Sequence, residues 1–271
     1  MQKNILLILI AVAAYSCSSP TPTTEESSKS VEGEGDFIEY NNPPADGFNQ
    51  EGSDMLAMLL ADKSMQAMGG RSAWDNTRYL SWNFFGRRDH LWDKQTGNVR
   101  IEVPSNGMTI LMNINTKEGS VYRNNQVMTD SADHFLERGY SWWVNDSYWL
   151  VMPYKLKDTG VTLKYIREDT TLSGTLSDVI QLTFEDTGLT PQNIYEIWID
   201  ADSKLVTQWR YYQDSSAIEP YFTLEWTGYK QFGEIMLSSG RGEYALENIR
   251  VFDEVSAESF TDPRKLISAI K

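Results

Sequence analysis

The chain has 271 residues, 41% of them hydrophobic, which is enough to bury a sizeable core within one domain. Its formal charge of -14 argues against nucleic-acid binding, because phosphate recognition requires clustered Lys and Arg side chains and basic doublets such as Arg87-Arg88 are rare in this sequence. The composition therefore indicates a soluble-looking acidic domain with no nucleic-acid partner.

The first residues predict an export signal. An apolar run from Ile5 to Ala14 follows Lys3, and it is too short to span a bilayer, which takes about 20 residues. Cys17, the only cysteine, comes directly after this run, and Ala14-Tyr15-Ser16-Cys17 is similar to a bacterial lipobox. We expect a signal peptide over residues 1–16 and lipidation of Cys17, which would tether the protein to a membrane. The alternative is a secretory signal in which Cys17 is incidental.

The segment after Cys17 predicts a disordered tether. Residues 18–53 are rich in Ser, Thr, Pro, Glu and Gly, with almost nothing apolar before Phe37. Such a segment cannot bury enough apolar surface to offset its ordering entropy. We therefore expect residues 17–53 to form the lipidated Cys and tether, and residues 54–271 to form a single domain.

The domain is predicted to begin with a helix over residues 54–68. Met and Leu side chains recur along it, Ser53 or Asp54 can serve as the N-cap, and Gly69-Gly70 is typical of a helix end. Ser72 can begin a short second helical turn that carries Trp74.

After Thr77 the apolar residues alternate with polar ones, which predicts antiparallel strands joined by short loops. We expect roughly eleven to thirteen strands in meander order, and therefore a mainly β domain built on a large curved antiparallel sheet. Typical runs are Leu80, Trp82 and Phe84; Val99, Ile101 and Val103; Met108, Ile110 and Met112; Ile180, Leu182 and Phe184; and Tyr195, Ile197 and Ile199.

An aromatic stretch over residues 141–158 separates the two blocks of strands. At helical spacing, one arc carries Phe135, Leu136, Gly139, Trp142, Trp143, Trp149 and Leu150, while the opposite side carries Glu137, Ser141, Val144 and Tyr148. Asp146 lies inside the apolar arc, so the alternative is that it caps a second short helix. The arc is either ordinary core or the lining of an apolar cavity.

The sequence contains few patterns that are typical of a catalytic or metal site. His90 and His134 have no partner at metal-ligand spacing, so we interpret both as surface residues, and the sequence predicts neither a metal site nor a cofactor. Asp200-Ala-Asp202 is interpreted as a hairpin turn between two strands. We expect a protein that is not an enzyme; the enzymatic alternative is a hydrolase that depends on carboxylates.

Several features together carry a resemblance to a known group: the lipobox-like Ala14-Tyr15-Ser16-Cys17, the helix end Ala67-Met68-Gly69-Gly70 followed by Trp74, the hairpins, and the stretch NDSYWLVMPYKLKD at residues 145–158. The chain resembles Bacteroidota-type outer-membrane lipoproteins similar to the LolA/LolB lipoprotein-carrier superfamily, over about residues 54–260. The resemblance implies an unclosed β-barrel of about eleven strands, with two or three helices packed on its concave face and a cavity that accepts acyl chains. It also implies a lipid anchor in the outer membrane of the cell envelope, with the periplasmic or surface face left open.

These observations lead to two functional hypotheses. The first is a membrane-tethered module that binds the acyl chains of a lipid or lipoprotein in a cavity between the sheet and the helices. The second is an outer-membrane interaction or assembly subunit that binds a protein or glycan partner through exposed aromatic surface. The predicted cavity residues are Leu80, Trp82, Phe84, Ile101, Ile110, Met112, Trp142, Trp149, Leu150, Ile197, Leu224 and Trp226.

Overall fold

The computed structural model describes residues 41–185 and 188–270, which fold as a mainly β domain. Three helices are present in these ranges: α1 (Met55–Ala67), α2 (Gly70–Asn76) and α3 (Ala132–Val151). The strands are β1 (Tyr79–Phe84), β2 (Arg88–Asp93), β3 (Asn98–Val103), β4 (Met108–Asn113), β5 (Gly119–Arg123), β6 (Gln126–Met128), β7 (Val161–Thr170), β8 (Leu176–Phe184), β9 (Ile194–Asp200), β10 (Val206–Tyr212), β11 (Phe222–Phe232), β12 (Ile235–Arg241) and β13 (Tyr244–Phe252).

All thirteen strands belong to one antiparallel sheet in the order β6-β5-β4-β3-β2-β1-β13-β12-β11-β10-β9-β8-β7. Within each of the two blocks, β1–β6 and β7–β13, strands that follow one another in the chain pair side by side. The pairing of β1 with β13 joins the two blocks into one sheet. Strands β6 and β7 remain as the two edges, and the sheet is unclosed. The predicted fold class is confirmed, and the thirteen strands lie within the range of eleven to thirteen that the alternation predicted, two more than the resemblance implied.

The folded part begins earlier than the sequence indicated. Residues 45–54 run beside the edge strand β7, where Asn49 N donates to Val161 O at 3.0 Å and Asp54 N donates to Leu163 O at 2.9 Å. Phe48 is buried in the core. An edge strand offers unpaired backbone groups, and this segment pairs with some of them. The predicted tether boundary at residue 53 is therefore too late, while the signal peptide and Cys17 lie outside the described residues.

Helix α1 confirms the first predicted helix, with Asp54 at its N-cap position. The Asp54 carboxylate does not bond its own helix; it accepts hydrogen bonds from Tyr165 N and Lys164 Nζ, both at 3.0 Å, and so attaches the helix start to β7. At the other end, Gly69 has φ +110°, in the left-handed region that favours glycine. The predicted stop at Gly69-Gly70 is confirmed.

The long helix α3 is continuous from Ala132 to Val151, so the alternative of a second short helix beginning at Asp146 is wrong. Tyr148 also departs from the prediction, because it packs against Phe184 and Tyr195 rather than facing away from the sheet. The sheet is curved, so it contacts side chains on more than one side of α3. Within the described ranges, none of the helices has the length and apolar character of a membrane span.

The core lies between the helices and the concave face of the sheet in three groups of buried side chains. Group one joins α1 to β7–β11, group two joins α2 and the end of α3 to β1, β12 and β13, and group three joins the first half of α3 to β3–β5. The C-terminal residues 257–270 pack on the opposite face of the sheet, against β2 and β3. Arg100, fully buried there, donates to the carbonyl oxygens of Ser259 at 3.1 Å and Asp262 at 2.9 Å.

Substitution of Gly69 tests how closely the end of α1 approaches the β11–β12 turn. An added Cβ at Gly69 would lie 2.2 Å from Glu234 O, whereas one at Gly174, with φ +86°, would meet nothing within 4 Å. We expect Gly174→Ala to lower the free energy of unfolding by about 1–2 kcal/mol through backbone strain alone. Gly69→Ala adds the steric overlap and should cost about 3–5 kcal/mol in urea unfolding. Equal losses for the two variants would contradict this account of Gly69.

Candidate functional site

The predicted cavity residues all lie in the three core groups on the concave side of the sheet. Leu80, Trp82, Phe84 and Leu150 belong to group two, and Ile197 and Trp226 belong to group one. Group three contains Ile101, Ile110 and Met112, with Trp142 packed against them. The structure thus brings these residues to one face, and their role in holding a ligand stays a prediction.

The C-terminal half of α3 fills its part of the concave face with aromatic rings. Trp149 makes an edge contact with Trp209 at 4.8 Å between ring centroids and contacts Phe85 and Phe222, each at 5.3 Å. Such edge and tilted arrangements are the favoured geometries for aromatic pairs. Trp149 therefore serves as packed core.

A buried ion pair fixes this half of the helix to strand β2. Asp146 is fully buried and accepts from Arg88 Nε at 2.6 Å and Arg88 Nη2 at 2.9 Å, and its Oδ2 lies 2.7 Å from His90 Nε2. Burial raises the pKa of Asp146, but the hydrogen bonds from His90 and Arg88 outweigh it and hold the pKa below its usual value. The arrangement therefore keeps a carboxylate charged inside the core.

The prediction that His90 lies at the surface is wrong, whereas His134 is exposed as predicted. Strand alternation places His90 on the concave face, where its ring is 1% exposed and stacks on Trp82 with centroids 4.6 Å apart. Among the residues that the structure describes, His90 Nδ1 has no hydrogen-bond partner. His90 therefore makes its hydrogen bond to the rest of the fold through Nε2, which lies next to Asp146.

A second buried cation holds the end of α3. Arg241 is fully buried and donates to the Trp149 carbonyl oxygen from Nε at 3.1 Å and from Nη2 at 2.6 Å. Its guanidinium lies 3.4 Å from the centroid of the Trp226 ring. Burial lowers the pKa of Arg241 to about 9, so it remains mostly charged at neutral pH and neutralises the negative end of the helix dipole. Sequence analysis missed Arg241, because no local pattern links it to a helix so distant in the chain.

The N-terminal half of α3 is attached differently. Phe135, Leu136, Tyr140, Trp142 and Trp143 pack against group three but stay only partly buried. Within the described part of the chain, residues 132–144 make no side-chain hydrogen bond to the sheet. This half of the helix is therefore held by apolar and cation–π contacts.

Gly139 brings the backbone of this half of α3 close to β4. A Cβ at that position would lie 2.9 Å from Ile110 Cδ1 and 3.2 Å from Ile110 Cγ2. Trp142 follows one turn later and faces two cations, with Arg88 at 4.9 Å and Arg138 at 5.0 Å from its ring centroid. The backbone of α3 at Gly139 therefore lies next to Ile110 of β4, and the larger side chains of the helix lie on either side of this position.

Sequence analysis also missed a set of half-buried aromatic residues on β8–β11. Tyr148 lies 5.5 Å from Tyr195, Tyr195 lies 5.3 Å from Tyr211, and Tyr211 lies 5.2 Å from Phe222, measured between ring centroids. Burial raises the pKa of the Tyr148 hydroxyl. The alternation in each strand placed these residues on one face, but only the order of strands in the sheet brings them together.

The described ranges contain no group of three His, Cys, Asp or Glu side chains arranged to hold a metal ion. Asp200 behaves as a turn residue, as predicted, because its Oδ1 accepts from Ser203 N at 2.5 Å and Asp202 N at 3.2 Å.

No family model and no curated protein matches this sequence. Solved structures similar to the chain include a DUF1329 family protein from Desulfovibrio piger, with 13% identity and a TM-score of 0.41, covering 79% of this chain and 99% of that chain. A LolA superfamily protein from Nitrosomonas europaea is 8% identical with a TM-score of 0.35, covering 73% of this chain and 94% of that chain. A domain named for outer-membrane lipoprotein sorting, from Vibrio parahaemolyticus, is 12% identical with a TM-score of 0.30, covering 74% and 97%.

Replacement of Asp146 tests the buried ion pair. Asp146→Asn leaves Arg88 without its charged partner, so we expect a loss of about 3 kcal/mol in the free energy of unfolding at pH 7. Because the folded-state pKa of Asp146 is lowered, its charge stabilises the fold above the unfolded pKa near 4, and this contribution disappears as the pH falls through the folded pKa. The difference in the free energy of unfolding between wild type and variant, measured in urea, should therefore become smaller as the pH is lowered.

The matched control is Asp75→Asn, which removes the carboxylate of an exposed ion pair with Arg71 on α2. We expect Asp75→Asn to change the free energy of unfolding by less than about 0.5 kcal/mol. If both variants lost the same amount, the buried pair would not be what fixes α3.

Proposed function

We propose that the chain is a membrane-tethered lipid- or lipoprotein-binding module. Acyl chains would enter between residues 132–145 of α3, here called the lid segment, and strands β3–β5. The observation that carries the proposal is the unequal attachment of α3, whose C-terminal half is fixed by Asp146 and Arg241 whereas the lid segment rests on apolar side chains. The module as proposed includes no catalytic step.

The surface under the lid segment has the chemistry that acyl chains require. Its side chains are exposed by 9% or less and carry no charge. An acyl chain that took the place of the lid side chains would keep this surface out of water and would contribute about 0.8 kcal/mol for each buried CH₂. These side chains are Val99, Ile101, Val103, Met108, Ile110, Met112 and Val121.

The two attachment points define how the helix would move. With Asp146 held by Arg88 and the Trp149 carbonyl held by Arg241, a rigid helix opens by pivoting about its C-terminal half. Opening exposes the lid aromatics and part of group three to water, so the closed form is favoured without ligand. A ligand that binds only the open form shifts this equilibrium by its own binding free energy.

Of the predicted cavity residues, the proposal uses those in group three together with Trp142. Ile101, Ile110 and Met112 would contact the acyl chain directly. The remaining predicted residues lie in groups one and two, and we assign them to the packed support that keeps the sheet curved.

Membrane attachment through Cys17 is part of the proposal and concerns residues outside those described. The residues between Cys17 and Asn41 would let the domain move about 25–30 Å from an anchor if they behave as a flexible coil. We place the anchor in the outer membrane of the cell envelope because the sequence resembles outer-membrane lipoproteins.

A specific observation keeps an interaction or assembly subunit as the second candidate. The loops after β8 and β10 lie at the same end of the sheet and present Leu189, Ile218 and Tyr221, which are exposed by 50%, 93% and 71%. Exposed apolar and aromatic side chains often mark protein-binding surfaces.

Native mass spectrometry of the chain from Ser18, purified without detergent and mixed with fatty acid or a diacyl lipopeptide, tests the leading proposal. We expect the wild type to carry an added lipid mass. Trp142→Asp should lose it, because a carboxylate beside the acyl path must be desolvated. The control Val127→Asp introduces the same group at an exposed apolar position on β6, next to Met128 of group three, and should still bind.

An apo mass for wild type at saturating lipid would contradict the proposal, as would uptake unchanged by Trp142→Asp. In that case the exposed loops become the place to search, and Ile218→Asp with Tyr221→Asp should weaken capture of a partner.

Lipidation is tested by metabolic labelling with an alkyne fatty acid in a bacterial host. We expect label on the wild type and its recovery in the membrane fraction, whereas Cys17→Ser should lose both. The double variant Cys17→Ser with Ser18→Cys keeps a single thiol but moves it by one position, and it should also remain unlabelled. Label on the double variant would indicate acylation without lipobox recognition.

A further inference from the structure

A cleft lies on the face of the sheet opposite the helices. It has a volume of about 790 Å³ and is bounded by β1–β4, the β5–β6 turn, β13 and residues 263–268. This size is within the range of small-molecule sites. The lid segment forms no part of this cleft, although Val103 and Met108 of group three also border it.

The wall of the cleft is held in place by partly buried hydrogen bonds. Arg250 donates to the carbonyl oxygens of Ile267 and Ile270, both at 2.7 Å, and Glu102 Oε1 accepts from Ile267 N at 3.2 Å. Arg100 holds the preceding turn through Pro263 O at 2.9 Å. The C-terminal segment therefore forms a preorganised wall, which reduces the entropy that a ligand would lose on binding.

The floor is rich in hydrogen-bond acceptors. Asp89 and Glu102 are direct cross-strand partners on β2 and β3, an arrangement of like charges that costs stability. Ser81 also lines the floor, and its Oγ is buried without a hydrogen-bond partner among the residues that the structure describes. Asp89 Oδ1 already accepts from Asn83 Nδ2 at 2.8 Å, and Glu102 Oε1 accepts from Arg100 Nε. A ligand hydroxyl would therefore supply the partner that Ser81 Oγ lacks.

The rim carries side-chain amides in unusual backbone positions. Asn124, Asn125 and Asn248 have φ of 49°, 66° and 52° and are exposed, and within the described ranges their side chains make no hydrogen bond to the protein. Asn248 lies at a β-bulge, since the pairing of β1 with β13 shifts between Ser81 and Asn83. A bulge redirects the side chain that it carries, here to the rim of the cleft.

We infer that this cleft binds the hydroxyl groups of a short oligosaccharide. Sugar hydroxyls donate to the carboxylates of the floor and both donate to and accept from the rim amides. The apolar side of a sugar ring can pack on Leu266 and Pro263, which form the wall. The pattern of acceptors below, amides above and an apolar wall beside them is what a polyhydroxylated ligand requires.

Other ligand classes match the cleft less well. A phosphate or a fatty-acid carboxylate would meet Asp89 and Glu102 on the floor. A cationic ligand gains less, because Glu102 already pairs with Arg100 at 2.5 Å and the guanidinium of Arg250 also lines the cleft. A neutral sugar avoids both penalties.

The test uses saturation-transfer NMR on the full-length chain in a detergent without a sugar headgroup. The probes are maltotriose, cellotriose, chitotriose and mannotriose. We expect at least one of them to bind saturably, and Asn125→Gly and Asn248→Gly each to weaken that binding about fivefold, the effect of losing one hydrogen bond. Both variants keep a residue that favours positive φ, so the turn and the bulge are retained.

The matched control is Lys204→Gly, which makes the same kind of substitution at φ 61° in the β9–β10 turn and should leave sugar affinity unchanged. Absence of binding by all four probes at millimolar concentration would overturn the inference, and so would binding that neither Asn variant alters.

A glycolipid that carries the bound sugar as its headgroup identifies the source of the ligand. Tighter binding of the glycolipid than of the free sugar indicates a membrane glycan, and equal binding indicates a free sugar. Lipid uptake by Trp142→Asp is read separately, so failure of one proposal does not affect the other.

Discussion

The buried contact of Asp146 with Arg88 and His90 is the constraint on which the arrangement of the concave face depends. It holds the middle of α3 against β2 at hydrogen-bond distances of 2.6–2.9 Å, in a place where water does not reach the carboxylate. A carboxylate without partners could not remain charged there. Because two side chains of one strand share this carboxylate, α3 has one permitted position along the strand. Gly139, about two turns earlier, then comes to lie on Ile110.

This constraint divides the concave face into two chemically different halves. Beyond Asp146, aromatic rings on α3 interlock with rings on β9–β11, and Arg241 adds hydrogen bonds to the helix end. Before Asp146, the helix covers aliphatic and Met side chains of β3–β5 through partly buried aromatics. Apolar contacts are not directional, so they can be exchanged for contacts with another apolar chain at little cost, whereas the hydrogen bonds at Asp146 and Arg241 cannot. The proposed opening of the lid segment thus depends on where the polar groups lie.

Local sequence patterns were sufficient for the elements but not for the contacts between them. Helix α1, its stop at Gly69-Gly70 and the period of the strands follow from spacing and from turn residues. The pairing of β1 with β13 and the position of His90 do not, because they depend on residues far apart in the chain; His90 and Asp146 are separated by 56 positions. The inward face of His90 could have been inferred from Trp92, which lies two positions along the same strand, but a charged partner on a distant helix leaves no periodic signal. The same holds for Arg100, whose partners lie in the C-terminal segment.

Strand alternation also explains how β1–β4 can serve two unlike surfaces. Trp82, Ile101 and Ile110 face the helices, while their neighbours Ser81, Glu102 and Thr109 face the opposite cleft. Successive side chains point to opposite faces, so each surface can change in composition without altering the other. The backbone is nevertheless common to both, and a register slip of one residue would place Glu102 and Asp89 under α3 and bring apolar side chains to the cleft. The two surfaces therefore stabilise the same register, and any energetic coupling between them has to pass through the curvature of these four strands.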